Sequence, residues 1–259
     1  MRLFSNFFLH VAWAILFLPL AALPQRSTKS DKDSLYSDEG WKNMADQKGQ
    51  VFWGVMAGYN LNNIYGKDMG YIFSNSKTSW ISGFHIGMHV ETRLNPYLSL
   101  FHEATYSRRG AGVTLADSVS GTYASRLRAD YVDVYPLSVA VGIKGFRLYA
   151  GPYVGALCSA SLSERDSSGH TYMNKTLFGT PGDFEKGRKY LQKLDFGIHA
   201  GLGYFSKWGL FAQLRYMRGF WDIFQYANSY TLEDSKTDKI HIFHHNLLFS
   251  IGYRLGARK

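Results

Sequence analysis

The chain has 259 residues, with 29 Lys and Arg against 20 Asp and Glu, a formal charge of +9, 16% aromatic residues and only 19% charged ones. That composition excludes a disordered chain, and the single Cys excludes an intramolecular disulfide and a cysteine-rich zinc module. Mean hydropathy of −0.21 is too low for a bundle of membrane helices, each of which needs about 20 apolar residues.

Residues 1–25 read MRLFSNFFLHVAWAILFLPLAALPQ. Arg2 supplies a basic start, Phe7 to Leu18 an apolar run broken only by His10, and Pro19 with Ala21 and Ala22 a cleavage zone. This layout predicts a signal peptide at 1–25 and export. Residues 26–50 are polar, mixed in charge and without periodicity, which predicts a flexible lead-in. Residues 51–259 then form one domain.

From Val51 the apolar period is two. In GFHIGMHVE, Phe84, Ile86, Met88 and Val90 alternate with Gly83, His85, Gly87, His89 and Glu91. In KLDFGIHAGLGY, Leu194, Phe196, Ile198, Ala200, Leu202 and Tyr204 alternate with Asp195, Gly197, His199, Gly201 and Gly203. Such alternation puts one continuous apolar face on each strand. It predicts eight strands, at 51–61, 80–93, 97–108, 127–143, 146–160, 192–205, 209–222 and 241–255. Each reaches the roughly 9–11 residues that a tilted membrane-crossing strand needs. Connections at 94–96, 144–145 and 206–208 are short; those at 62–79, 109–126, 161–191 and 223–240 are long. Strict alternation of short turns and long loops predicts an all-β, eight-stranded antiparallel up-and-down transmembrane β-barrel. Its apolar face meets lipid, and closure satisfies every backbone group in hydrocarbon. Trp53, Tyr59, Trp80, Tyr97, Tyr106, Tyr204, Trp208, Tyr216, Trp221 and Tyr253 fall near strand ends, where interfacial aromatic girdles belong.

The opposite parity carries the lumen set: His85, His89, Glu91, Arg93, Glu103, Asp133, Arg147, Asp195, His199, Arg215 and Arg254. Acids and bases nearly balance, and buried charges must pair, so a hydrogen-bonded filling is expected ahead of an ion path. His85 and His89 cannot share a metal ion, because four positions along a strand span about 13 Å. His199 would need a cross-strand partner, and His241, His244 and His245 cluster at the rim of the last strand. No metal, cofactor or catalytic set is expected. His102 with Ser107 is the nearest approach to a hydrolytic pair, without a nucleophile elbow or a spaced acid. The stretch Gly182 to Lys189 lacks the Lys-Ser/Thr of a phosphate loop. Cys158 reads as a free, partly buried thiol. Bases Arg108, Arg109, Lys175, Lys186, Arg188, Lys189 and Lys236 fall in the long loops. There they suit outer-membrane lipid and lipopolysaccharide and not nucleic acid.

The runs GVMAGYNLNNI (54–64), GFHIGMHVETRL (83–94), HEATYSRRGAG (102–112), YVDVYPLSVAVGIKGFRLYAGPYVGAL (131–157), KLDFGIHAGLGY (193–204) and LRYMRGF (214–220) together resemble the PorT-like outer-membrane β-barrel family of Bacteroidota. The specific elements are Glu103 with Tyr106, Ser107 and Gly110, then Tyr131 with Pro136, then Gly151-Pro152-Tyr153. The resemblance implies an outer-membrane barrel of the porin-family type, in a family some of whose members serve type IX protein secretion. One departure is that the sequence runs past Tyr253 to Gly256-Ala257-Arg258-Lys259, whereas many such barrels end on an aromatic residue. The expected function is a structural or interaction protein of the cell envelope that presents four loops. Two alternatives stand beside it: a small transport or channel protein, and a lipid-modifying enzyme.

Overall fold

The computed structural model describes residues 50–118, 121–175, 191–224 and 241–255. The signal peptide expected at 1–25 and the lead-in expected at 26–50 lie outside the described residues, Gln50 excepted. The elements are β1 (Val51–Gly66), a single helical turn α1 (Met69–Ile72), β2 (Ile81–Arg93), β3 (Leu98–Asp117), β4 (Gly121–Ile143), β5 (Phe146–Arg165), β6 (Thr171–Asn174), β7 (Leu194–Phe205), β8 (Leu210–Gly219) and β9 (Ile242–Leu255). Every pairing is antiparallel, in the order β4-β3-β2-β1-β9-β8-β7-β5, and β4 pairs with β5. The sheet therefore closes on itself as an eight-stranded barrel. The seam between first and last strands runs in register from Trp53↔Leu255 to Gly66↔Ile242, so neither edge is left open.

The short connections have local causes. Between β2 and β3, the Asn95 side-chain oxygen accepts from the N–H groups of Tyr97 and Leu98, both at 2.8 Å. This closes an Asx turn. Between β4 and β5, Lys144 and Gly145 adopt φ 51° and 91°, the left-handed pair that matches the twist of a two-residue hairpin.

Burial follows the alternation. Phe146 and Leu148 are 63% and 68% exposed on the outer wall, whereas His89, Glu91 and Asp133 are fully enclosed at 0%. Trp53, Tyr97, Tyr204, Trp208 and Tyr253 ring the short-turn end, and Trp80, Tyr106, Tyr216 and Trp221 the long-loop end. About nine strand positions separate the two rings, which matches an apolar band roughly 25 Å tall on tilted strands.

Above the upper ring the polarity reverses, and here the structure corrects the predicted boundaries. β1 runs on to Gly66, β3 to Asp117 and β5 to Arg165, while β4 begins at Gly121. The predicted loop 109–126 is thus a hairpin, 62–79 is partly strand with α1 inside it, and 161–191 contains the added strand β6. Inside this collar Ala111, Val113, Leu127, Ala129 and Leu157 are buried, whereas Arg126 on the outer wall is exposed. Water replaces lipid outside the wall at this height, so the apolar side turns inward. Arg109 is corrected with the loop: it is a fully buried lumen residue and not a loop base. Cys158 is exposed on the outer face of β5 and not partly buried. Of the remaining loop bases, Lys186, Arg188, Lys189 and Lys236 lie outside the described residues.

One irregularity interrupts the wall. β4 sets Pro136 and Leu137 against the single residue His102 of β3, a β-bulge. Proline has no N–H to donate. The Pro136 carbonyl, turned out of the ladder, accepts instead from His102 Nδ1 at 2.5 Å.

Strand contact is tightest where glycine permits it. A Cβ on Gly58 would lie 1.9 Å from the Phe249 carbonyl oxygen and 2.5 Å from the His85 ring. Gly58→Leu is expected to lower the urea midpoint of the liposome-embedded barrel, followed by tryptophan fluorescence, by the equivalent of at least about 1–3 kcal/mol. An unchanged midpoint would contradict close packing at the β1–β9 seam.

Candidate functional site

All eleven residues of the lumen set are buried, and the structure sorts them into tiers. At the short-turn end Glu91 and Arg93 come from β2, Arg147 from β5 and Arg254 from β9. Glu91 Oε1 accepts from Arg93 Nε at 3.1 Å and from Ser99 Oγ at 3.0 Å, and Oε2 accepts from Arg254 Nη1 at 2.6 Å. Arg147 Nε stands 4.0 Å from Glu91. The guanidiniums of Arg93 and Arg254 lie 4.8 and 5.3 Å from the centre of the Phe52 ring.

In the middle tier Glu103 of β3 accepts from Arg215, which reaches across the lumen from β8, and from His89 Nδ1 at 2.9 Å. The Arg215 guanidinium lies 4.3 Å from the Tyr135 ring centre and 5.4 Å from that of Tyr149. His89 packs on Phe101, Phe211 and Phe205 with centroids at 4.8, 5.3 and 5.7 Å. His199 bonds to Ser138 Oγ at 2.9 Å, and His85 lies between Asn60 and Ser250. The Asn60 oxygen can only accept, so His85 Nδ1 carries the proton and Nε2 accepts from the serine.

In the upper tier Arg109 is paired with both Asp133 and Asp195, the latter at 2.6 Å. Ser107 donates to Asp133 at 2.5 Å and Tyr153 to Asp195 at 3.0 Å. Above it Ile64, Met69, Phe73, Leu127, Leu157 and Phe224 pack as an apolar cap at the long-loop end. Among the described residues the three tiers therefore hold three guanidiniums with one carboxylate, one with one, and one with two.

Arg109, Ser107 and the four tyrosines that lie against the lumen arginines, Tyr131, Tyr135, Tyr149 and Tyr153, are absent from the lumen set read from sequence. Both share the parity of Glu103: Ser107 lies within the predicted strand 97–108, and carrying the alternation past residue 108 reaches Arg109. The three rim histidines separate. His241 Nδ1 lies 3.3 Å from Asp222, His244 is buried and meets the Tyr131 hydroxyl at 3.1 Å, and His245 faces outward 4.6 Å from Trp80. Among the described residues no three His, Cys, Asp or Glu converge as metal ligands. His102 and Ser107 point to opposite faces of β3 and cannot act together.

Glu103→Ala leaves Arg215 buried without its anion and is expected to cost about 3–5 kcal/mol in reversible unfolding. Glu103→Leu combined with Arg215→Met should recover most of that loss; a single variant as stable as wild type would refute the pairing. His102→Phe, which strands the Pro136 carbonyl, is expected to cost about 1–3 kcal/mol in the same assay, with partial recovery in His102→Asn.

Comparison with known proteins places this geometry. Residues 42–225 match the family model described as outer membrane protein beta-barrel domain. No curated protein matches the chain. Three solved structures are similar to it over most of their length. Ail, the attachment invasion locus protein of Yersinia pestis, is 14% identical over 80% of this chain and 99% of its own, with a TM-score of 0.40. Neisserial surface protein A is 11% identical over 78% and 97%, with a TM-score of 0.43. OprG from Pseudomonas aeruginosa is 11% identical over 80% and 97%, with a TM-score of 0.38. On the strength of the family match, which spans well over half of the sequence, this chain belongs to the outer membrane protein beta-barrel domain family and is a multi-pass protein of the outer membrane.

Proposed function

We propose that this barrel is a structural and interaction protein: a plugged scaffold that holds an extracellular collar toward partners in envelope assembly or type IX protein secretion. The observation that carries this reading is the filling of the lumen. Charged tiers joined by ion pairs cross it, and an apolar cap lies above them. A path for a hydrophilic solute would require these buried pairs to separate, which is costly at low dielectric. Type IX secretion enters this reading through the resemblance of the sequence runs to the PorT-like family, some of whose members serve it. Transport is the weaker reading on the same ground, and the opposite directions of His102 and Ser107 remove that pair as support for lipid modification.

Two surfaces serve the collar. On the outer wall just above the upper aromatic ring stand Arg108, Arg126, Arg128 and Arg218. Arg108 is held in place by both oxygens of Asp130, at 2.7 and 3.3 Å. Arginines at that height suit the phosphates of an outer leaflet built from lipopolysaccharide. Higher up, β6 presents Tyr172 and Met173, 46% and 42% exposed, as a site for a protein partner.

In planar bilayers the purified protein is expected to give no stepwise current. A photo-crosslinking residue at Met173 is expected to trap a discrete envelope or secretion protein in intact cells. Stepwise currents, or adducts with lipopolysaccharide alone, would overturn the proposal.

A further inference from the structure

The periplasmic floor of the barrel gathers more guanidinium than its one carboxylate can serve. Both oxygens of Glu91 are engaged, by Arg93 and Ser99 on one side and Arg254 on the other. The side chains of Arg147 and Arg254 are only 7% and 1% exposed. The Nε of each is buried with no acceptor among the described residues. Arginine cannot relieve this by losing its proton, and a buried ionic donor without an acceptor is strongly unfavourable. The neighbouring Glu103–Arg215 tier is already balanced, so it has no carboxylate to lend. Among the described residues, aspartates in excess occur only at the far end of the lumen, around Arg109. Below the floor the turns add Lys144 and Lys207. Among the described residues Glu91 is the sole acid at this end of the barrel.

We propose that the floor is an oxyanion site that takes one carboxylate or phosphate group on the Nε atoms of Arg147 and Arg254, entered from the periplasm. The planar guanidinium fork matches either group. Two sources offer that chemistry. One is the chain itself, which enters β1 at this floor: the Gln50 carbonyl accepts from the Arg93 N–H at 3.0 Å. The residues just before it in sequence include Asp31, Asp33, Asp38, Glu39 and Asp46. The other is free phosphate in the periplasm. The site is independent of what the collar binds.

The test uses the full mature chain in detergent micelles with 15N-labelled arginine. The Nε–H resonances of Arg147 and Arg254 are assigned with Arg147→Lys and Arg254→Lys and followed during titration with inorganic phosphate at low salt. If free phosphate is the ligand, both wild-type resonances shift saturably, and Arg147→Gln weakens binding by at least about tenfold. If the chain's own acids fill the site, wild type responds weakly. The variant carrying Asp31→Asn, Asp33→Asn, Asp38→Asn, Glu39→Gln and Asp46→Asn then binds phosphate at least about tenfold more tightly. Either result supports the site. The wild-type and acid-neutralised proteins suffice for the comparison if an arginine variant does not fold. Absence of a saturable shift in both proteins, or a shift confined to other arginines, overturns the proposal.

Discussion

A wall that faces hydrocarbon can leave no backbone donor or acceptor unpaired, because no water is there to take its place. The rest of the molecule follows from that demand. It joins β1 to β9 along a seam more than a dozen residues long and so turns a sheet into a closed cylinder. It also explains why a histidine sits on the lipid side. Where Pro136 removes a donor and the β4 bulge turns a carbonyl out of the ladder, His102 supplies the missing hydrogen. An imidazole in a lipid-facing band would be unfavourable by itself. Paired with that carbonyl it repairs the one described place where β3 and β4 lose their register.

Closure has a second consequence. An eight-stranded cylinder is just wide enough for side chains to meet across it, and the outward parity is spent on lipid contact, so polar residues must fill the middle. They pair in tiers, and in each tier arginines lie over aromatic rings: Phe52 at the floor, Tyr135 and Tyr149 in the middle, Tyr131 and Tyr153 above. Aromatic faces stabilise a cation without adding charge. This lets one carboxylate hold the middle tier neutral. Counted over the described residues, the tiers at the two ends carry charge excesses of opposite sign. The proposed oxyanion site is the chemical consequence of that asymmetry at the periplasmic end, and the proposed collar is what a filled cylinder leaves free to act.

The period-two pattern from Phe84 to Val90 and from Leu194 to Tyr204 showed strands with one lipid face, because a strand between lipid and a polar lumen has no other stable arrangement. The same pattern misled at the collar. Between Asp130 and Tyr131 the polar and apolar parities exchange on β4, and on β3 the exchange lies near Arg109. A rule of apolar outside and polar inside therefore ended those strands at 108 and 127 and placed Arg109 in a loop. The parity of Arg109 was legible; its burial was not, since it depends on Asp133 and Asp195 arriving from two other strands. The rim histidines show the same limit. His244 and His245 are neighbours in sequence, yet one enters the lumen and the other faces the girdle.

By itself the sequence determined the class of the wall, the side each strand residue faces within the bilayer, and the short turns, because these depend only on alternation, local hydrogen bonds and backbone angles. Tertiary structure alone decided which charges meet, where the bulge falls, how far the strands rise above the membrane and which end of the lumen is left positive. Those features depend on register across the closed cylinder. Residues as distant as Glu91 and Arg254 become neighbours there only once the last strand has docked on the first.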